Sequence, residues 1–375
     1  MRPATATAAA VTALISAGAA ALAAGRLASD AALRLPPGKP LPGTTPLTVH
    51  ATTTRQVALT RALASQRPGV FGLTGHGCHA VVGPVVEDAP HTADTVVRRL
   101  DRVTHGSLDA GARVWLTPQV HLGDPGSALG LEHADVDVPG ELGGLPAWFV
   151  PAERDTWVIA VHGLGATREH PMVVMDFLHG MRIPVLSLAY RGDVGAPRSP
   201  DGLAHLGETE WRDLDAALRY AVRYGARRIV VHGWSTGATM ALLALRHSAL
   251  RDRISGLVLD SPVLDWEATV RALAAAGRTP GVLLPLAVRA AQGRTGVHGD
   301  RGAGAAVPES LDVPVLVFHG PDDAVAPWEA SRVFAARRPD LVTLHTVPDA
   351  SHGAMWNADP AGYEETMRRF LTPLL

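Results

Sequence analysis

The amino-acid sequence predicts an α/β domain with a mostly parallel central sheet flanked by helices, carrying a small helical cap and preceded by an accessory β-rich region. Three observations point there. From residue 132 onward, short apolar runs alternate with amphipathic helical segments, the pattern of strands whose two faces are both covered. Residues 47–131 instead hold Thr- and Val-rich runs cut by Gly, Pro and Asp, such as LTVHATTT, HAVVGPVV and ARVWL. A long insertion, 262–311, interrupts the alternation with apolar helical matter (VRALAAAG, GVLLPLAVRAAQG) and a glycine-rich stretch. Long insertions of this kind are commonly functional, so it is read as a cap.

The elements follow in chain order. After Arg2 no charge occurs until Arg26, and the small-residue site Ala21-Leu22-Ala23 follows an apolar middle, so residues 1–34 read as a signal peptide or a membrane anchor. That reading implies export or anchoring at the cell envelope, with membrane association through this segment. Residues 35–46, dominated by Pro and Gly, read as a stiff linker. Within 47–131 short strands are expected, with one helix over 93–103. From 132 to 375 the larger domain begins with a hairpin turning at Gly143-Gly144. Strands are then expected at Trp157–Val161, Pro184–Ala189, Arg228–His232, Gly256–Asp260, Val313–His319 and Val342–Val347. The helix between the third and second of these puts Trp211, Leu214, Leu218, Ala221 and Val222 on one face, with Thr209 as its cap and Gly225 as its stop.

Composition excludes several chemistries. The net charge of -2 leaves no electrostatic footprint for nucleic acid. Of the 34 basic residues only Lys39 is a lysine, and it falls in the linker, so a Ser-Lys dyad, a Schiff base and a phosphate-loop lysine are not expected. Cys78 is the single cysteine, so no intramolecular disulfide forms. His76-Gly77-Cys78-His79 lacks a second ligand group at zinc spacing and reads as a turn. No metal and no cofactor is expected.

One constellation carries chemistry. Gly233-Trp234-Ser235-Thr236-Gly237 lies between a short buried strand and a helical segment, which sets Ser235 on a strand-to-helix turn at the sheet's C-terminal edge. A serine hydroxyl needs a base, and the base needs an orienting carboxylate. Later strand ends supply both: the loop after one strand carries Asp322 and Asp323, and the loop after the next carries His352. Asp260, at an earlier strand end, is an alternative acid. A developing oxyanion needs backbone donors, and the amides of Leu164, in the turn His162-Gly163-Leu164-Gly165, and of Thr236 are the expected pair. His162 reads as a support for that turn. Trp234 and Trp356 are candidates for the walls of a substrate pocket.

HGLG at 162, GWSTG at 233, HGPDDAVAP at 319 and SHG at 351 occur in this order, each after a strand, and by them residues 132–375 resemble the α/β-hydrolase superfamily of serine hydrolases. The segment YRGDVGAP at 190 is similar to a strand-end loop of its bacterial esterase-like members with an N-terminal targeting segment. The resemblance implies that Asp323, three residues after the glycine of its loop, is the acid. It implies a catalytic set of Ser235, Asp323 and His352 that cleaves a small carboxylic ester with an apolar acyl group through an acyl-enzyme. Peptide or amide cleavage by the same residues is the alternative, and a non-catalytic binding protein of the same fold is another. Two features depart from the pattern: Thr236 stands where many members carry Met, Gln or Leu, and the first 130 residues or so have no counterpart in the minimal fold.

Overall fold

The computed structural model describes residues 22–296 and 311–375. Two sheets organise it. The first is a closed six-stranded barrel in the order β1-β2-β5-β4-β3-β6, made of β1 (Leu47–Thr52), β2 (Gln56–Thr60), β3 (Phe71–Gly75), β4 (Cys78–Val85), β5 (Thr95–His105) and β6 (Arg113–Thr117). Its interior is filled by residues such as Val49, Leu59, Leu73, Val82 and Val114. A helix over 93–103 is not formed there. That segment is the long strand β5, pairing with β2 on one side and β4 on the other, so barrel closure overrides the helical spacing of its arginines and leucine.

The second sheet has eight strands in the order β14-β13-β12-β11-β9-β10-β8-β7. These are β7 (Ala134–Gly140), β8 (Gly143–Val150), β9 (Thr156–Val161), β10 (Val185–Leu188), β11 (Arg228–Trp234), β12 (Ile254–Asp260), β13 (Val315–His319) and β14 (Val342–Thr346). From β10 through β14 the pairings are parallel, while β8 pairs antiparallel with both β7 and β10. The hairpin turns at Glu141-Leu142, two residues before the expected place, because Gly143 and Gly144 are already paired with Gly140 and Pro139. Apolar layers cover both faces, one around Ile159, Leu214 and Leu257, the other around Val158, Met172 and Phe318. The helix Trp211–Arg223 buries Leu214, Leu218 and Ala221 as expected. Thr209 does not cap it: the Glu210 carboxylate takes the backbone N–H groups of His205, Gly207 and Thr209 instead.

Two segments read as peripheral are built into the body. Residues 22–33 are helical and bury Ala28, Ala32 and Leu33 against the insertion helices Trp266–Ala276 and Leu284–Thr295. Arg294 clamps this helix, donating to the Arg26 carbonyl and to Ser29 and Asp30 at 3.1, 2.6 and 2.7 Å. The targeting segment expected over 1–34 is therefore folded structure from 22 onward, and its residues 1–21 lie outside the described residues. Among the described residues no helix is long and apolar enough to cross a membrane. The linker 35–46 is a strap rather than a free spacer, tied down where Gly38 N–H donates to the Gly165 carbonyl at 2.9 Å.

Candidate functional site

Strand β11 delivers Ser235 with φ 52° and ψ -115°, left-handed backbone that a serine rarely adopts. The turn survives because its neighbours have no side chains. A Cβ on Gly233 would stand 2.4 Å from the Gly237 carbonyl oxygen, and one on Gly237 would stand 2.3 Å from that of Val161. The turn is fixed to the next strand by Ser235 N–H donating to the Asp260 carbonyl at 2.8 Å. Thr236 is the first residue of the helix Thr236–His247, so its N–H has no acceptor within the helix. Facing it, the loop after β9 turns through Gly163 and Leu164, closed by Ala166 N–H on the Gly163 carbonyl at 3.2 Å. His162 holds this loop: its ring donates to the Asp193 carboxylate at 2.8 Å and stacks on Tyr190.

Three distant side chains meet here. Ser235 Oγ lies 2.7 Å from His352 Nε2, and His352 Nδ1 lies 2.7 Å from Asp323 Oδ2. Asp323 does not depend on His352 alone. Its Oδ1 accepts the N–H groups of Val325 and Ala326 at 2.8 and 2.9 Å, and its Oδ2 accepts from His319 Nε2 at 3.0 Å. His319 is in turn held by the Ser331 hydroxyl at 2.7 Å. Burial alone would raise the Asp323 carboxyl; the charge and hydrogen bonds of His352 and His319 outweigh it and hold the group ionised, well below the usual carboxylate range. Burial likewise opposes a charge on His352, but Asp323 beside it and Asp260 behind it outweigh burial, so its pKa is raised.

Asp322 and Asp260 take other roles. Asp322 accepts from the Asp349 amide at the surface. Asp260 is fully buried; Ser261 Oγ donates to its Oδ1 at 2.7 Å, and the same hydroxyl accepts Gly353 N–H at 2.9 Å, next to His352. Asp260 and Ser261 thus join the serine turn to the histidine loop. These supporting residues, His319, Ser331 and Ser261, were not singled out from sequence. The only signal was the position of His319, four residues before Asp323.

A cavity of about 490 Å³ opens above Ser235 and His352. Its walls include the loop Gly163–Ala166, the insertion through Leu273 and Ala276, the strap through Lys39 and Leu41, the barrel through Trp115 with Leu122 just beyond it, and the loops at Val325 and Ser351. Lys39 is therefore at the mouth of the site and not remote from it, because the strap crosses the cavity. Trp234 touches the cavity, but its ring is fully buried and stacks on His232, so it is chiefly core. Trp356 does not reach the cavity: its indole donates to Glu364 at 3.0 Å and packs against the layer around Met355 and Tyr363. Among the described residues no cluster of His, Cys, Asp and Glu is arranged to hold a metal ion.

Comparison with known proteins agrees with this architecture. Residues 200–374 match the model of the prolyl oligopeptidase family, and residues 48–117 match a domain of unknown function. Among solved structures, an esterase of Pyrococcus furiosus superposes with TM-score 0.56 at 24% identity, covering 68% of this chain and 95% of that one. A second crystal form of that esterase gives 0.54 at 22% identity, covering 67% and 96%. An uncharacterized protein, YfhR of Salmonella typhimurium, is 23% identical over 246 residues, which is 62% of this chain and 78% of that protein.

Proposed function

We propose that this chain, a member of the α/β-hydrolase superfamily, is a serine hydrolase that cleaves small carboxylic esters. The observation that carries the reading is the unbroken relay from Ser235 through His352 to Asp323, each contact 2.7 Å long, beneath a cavity. In this reading His352 Nε2 takes the Ser235 proton as Oγ bonds to the substrate carbonyl carbon. The carbonyl oxygen becomes an oxyanion that accepts from the Leu164 and Thr236 amides, which are fixed before the reaction and need no reorganisation. The bond to the leaving oxygen breaks and His352 gives that oxygen the proton, leaving an acyl-serine. Water, deprotonated by His352, then releases the acid.

Asp323 contributes by orientation and charge: it fixes the tautomer with Nε2 free to accept, and it stabilises the imidazolium that forms. The mainly apolar cavity of about 490 Å³ supports an ester of modest size. A second reading, peptide or amide cleavage, is supported by the match to the prolyl oligopeptidase family.

Ser235→Ala is expected to abolish hydrolysis of short-chain esters and labelling by a fluorophosphonate probe while keeping the native circular dichroism. Turnover that survives the substitution would refute the assignment. A panel of aminoacyl amides separates the second reading, which requires their turnover to exceed that of the esters.

A further inference from the structure

The accessory barrel carries no catalytic motif, yet it forms one wall of the cavity above Ser235. In β6, Val114 packs within the barrel's core and Leu116 packs against it while also reaching the cavity, whereas Trp115 between them lines the cavity and takes no part in that core. Trp115 is half-buried and belongs to none of the apolar clusters among the described residues. Its cross-strand partner on β3, Thr74, lines the same space, as does half-buried Leu122 just beyond β6. A large ring that the barrel's own packing does not use, facing open volume beside a nucleophile, is surface available to a ligand.

The side of the cavity on which this wall stands gives the ligand's identity. The barrel is fastened to the segment that bears His352. Ala354 lies in the barrel's apolar cluster, Arg67 donates to the Asp349 carbonyl at 2.7 Å, and Asn357 Nδ2 donates to the Val70 and Pro118 carbonyls at 2.8 and 3.0 Å. The strap is fastened instead to the oxyanion turn, where Gly38 N–H donates to the Gly165 carbonyl. In acyl transfer the histidine hands its proton to the departing oxygen, so the leaving group occupies the histidine side. Of the charged groups that line the cavity, Arg67 donates to the Asp349 carbonyl, Asp322 accepts from the Asp349 amide and Glu169 accepts from Gln119 and Gly123, while Lys39 stands on the strap and not on the barrel wall.

Resting on the serine-esterase reading above, we propose that Trp115, with Thr74, is the subsite for the leaving alcohol, and that the alcohol it selects is flat, apolar and uncharged: an aryl or other ring-bearing alcohol. The barrel is then the specificity wall of the enzyme, and the acyl group lies on the opposite side against Leu41, Leu273 and Leu164.

The test compares acetate esters, so that the acyl group is constant. For Trp115→Ala the ratio of kcat/KM for 1-naphthyl acetate to that for methyl acetate is expected to fall at least about tenfold, with Trp115→Phe keeping most of it. Varying the acyl chain of methyl esters should give the same preference in wild type and Trp115→Ala. A naphthyl-to-methyl ratio unchanged by Trp115→Ala, or a change seen equally in the acyl series, overturns the proposal. Calorimetric titration of Ser235→Ala protein with 1-naphthyl acetate separates this from the reaction itself. Binding there that is lost on adding Trp115→Ala upholds the subsite even if the wild type turns over no ester, an outcome that counts against the esterase reading alone. Absence of binding to folded Ser235→Ala protein overturns the subsite.

Discussion

At the scale of single residues, the protonation of two buried groups sets measurable behaviour. His352 must be neutral to accept the Ser235 proton, and its pKa is raised above 6.5 by Asp323 and Asp260 against the opposing effect of burial. The rate should therefore fall as pH drops through a midpoint above 6.5. Asp323→Asn removes the largest stabiliser of the imidazolium, so the midpoint should move to lower pH and kcat should drop by about 10⁴-fold. A pH–rate profile of both proteins checks this; an unmoved midpoint contradicts the pairing. Asp260 behaves in the opposite sense to Asp323. Burial, partly offset by the Ser261 hydroxyl and by His352, pushes its carboxyl up to about 7. The fold holds the protonated form more firmly than the unfolded chain does, so its contribution is fully present below 3.8 and fades as pH rises through about 7. Asp260→Asn, whose amide oxygen still accepts from Ser261, should flatten the fall in melting temperature from about pH 4 to about pH 8. A fall as steep as that of the wild type would show that Asp260 is not its source.

At the scale of elements, the turn at Ser235 is closely packed by backbone. Adding a methyl group at Gly237 sets it 2.3 Å from the Val161 carbonyl oxygen and 2.8 Å from that of His162, so strand β9 or the following helix must move. Gly237→Ala should lower the unfolding free energy by about 1–3 kcal/mol in urea titrations. It should also lower kcat, because the displaced strand end leads directly into Gly163 and Leu164. What sequence disclosed follows the same boundary between local and distant causes. Strands β9 to β13 were legible as apolar runs because each is covered on both faces, the edge strand β14 is buried only in part, and Ser235, Asp323 and His352 were legible because each stands just after a strand. The strand β5 was not, since VVRRLDRV has helical spacing and only its pairing with β2 and β4 makes it extended. Nor was the strap: Pro and Gly read as a stiff linker, whereas its anchoring depends on Gly165, far along the chain.

At the scale of the whole molecule, the barrel and the larger domain share packing rather than merely touching. Ala354, two residues beyond His352, is part of the barrel's apolar cluster, and the 69–70 segment is bonded to Asn357, with Val70 N–H on its carbonyl at 2.9 Å. The segment is shaped from inside the barrel by Arg98, fully buried, whose guanidinium donates to the carbonyls of Gly83, Ser65, Arg67 and Gly69. Scanning calorimetry should therefore give one unfolding transition for the chain. Asn357→Ala, which strips partners from the Val70 and Pro118 carbonyls, should cost about 1–3 kcal/mol and reduce turnover, although Asn357 touches no substrate. Two resolved transitions in the wild type would show that the halves unfold independently. The role of residues 47–131 could not be read from their own sequence, because it consists of surfaces offered to residues some 280 positions later, as in the contact of Arg67 with Asp349, 282 positions apart.

The clamp between Arg294 and the helix at 22–33 joins residues up to 268 positions apart. On the ribosome, the helix emerges long before the insertion that receives it, and the barrel and the serine turn are synthesised in between. The helix at 22–33 can thus dock only after the insertion has been translated, late in synthesis. A stalled chain ending before residue 284 would lack the berth for that helix and should be cut by proteases within 22–46, where the full-length protein resists them.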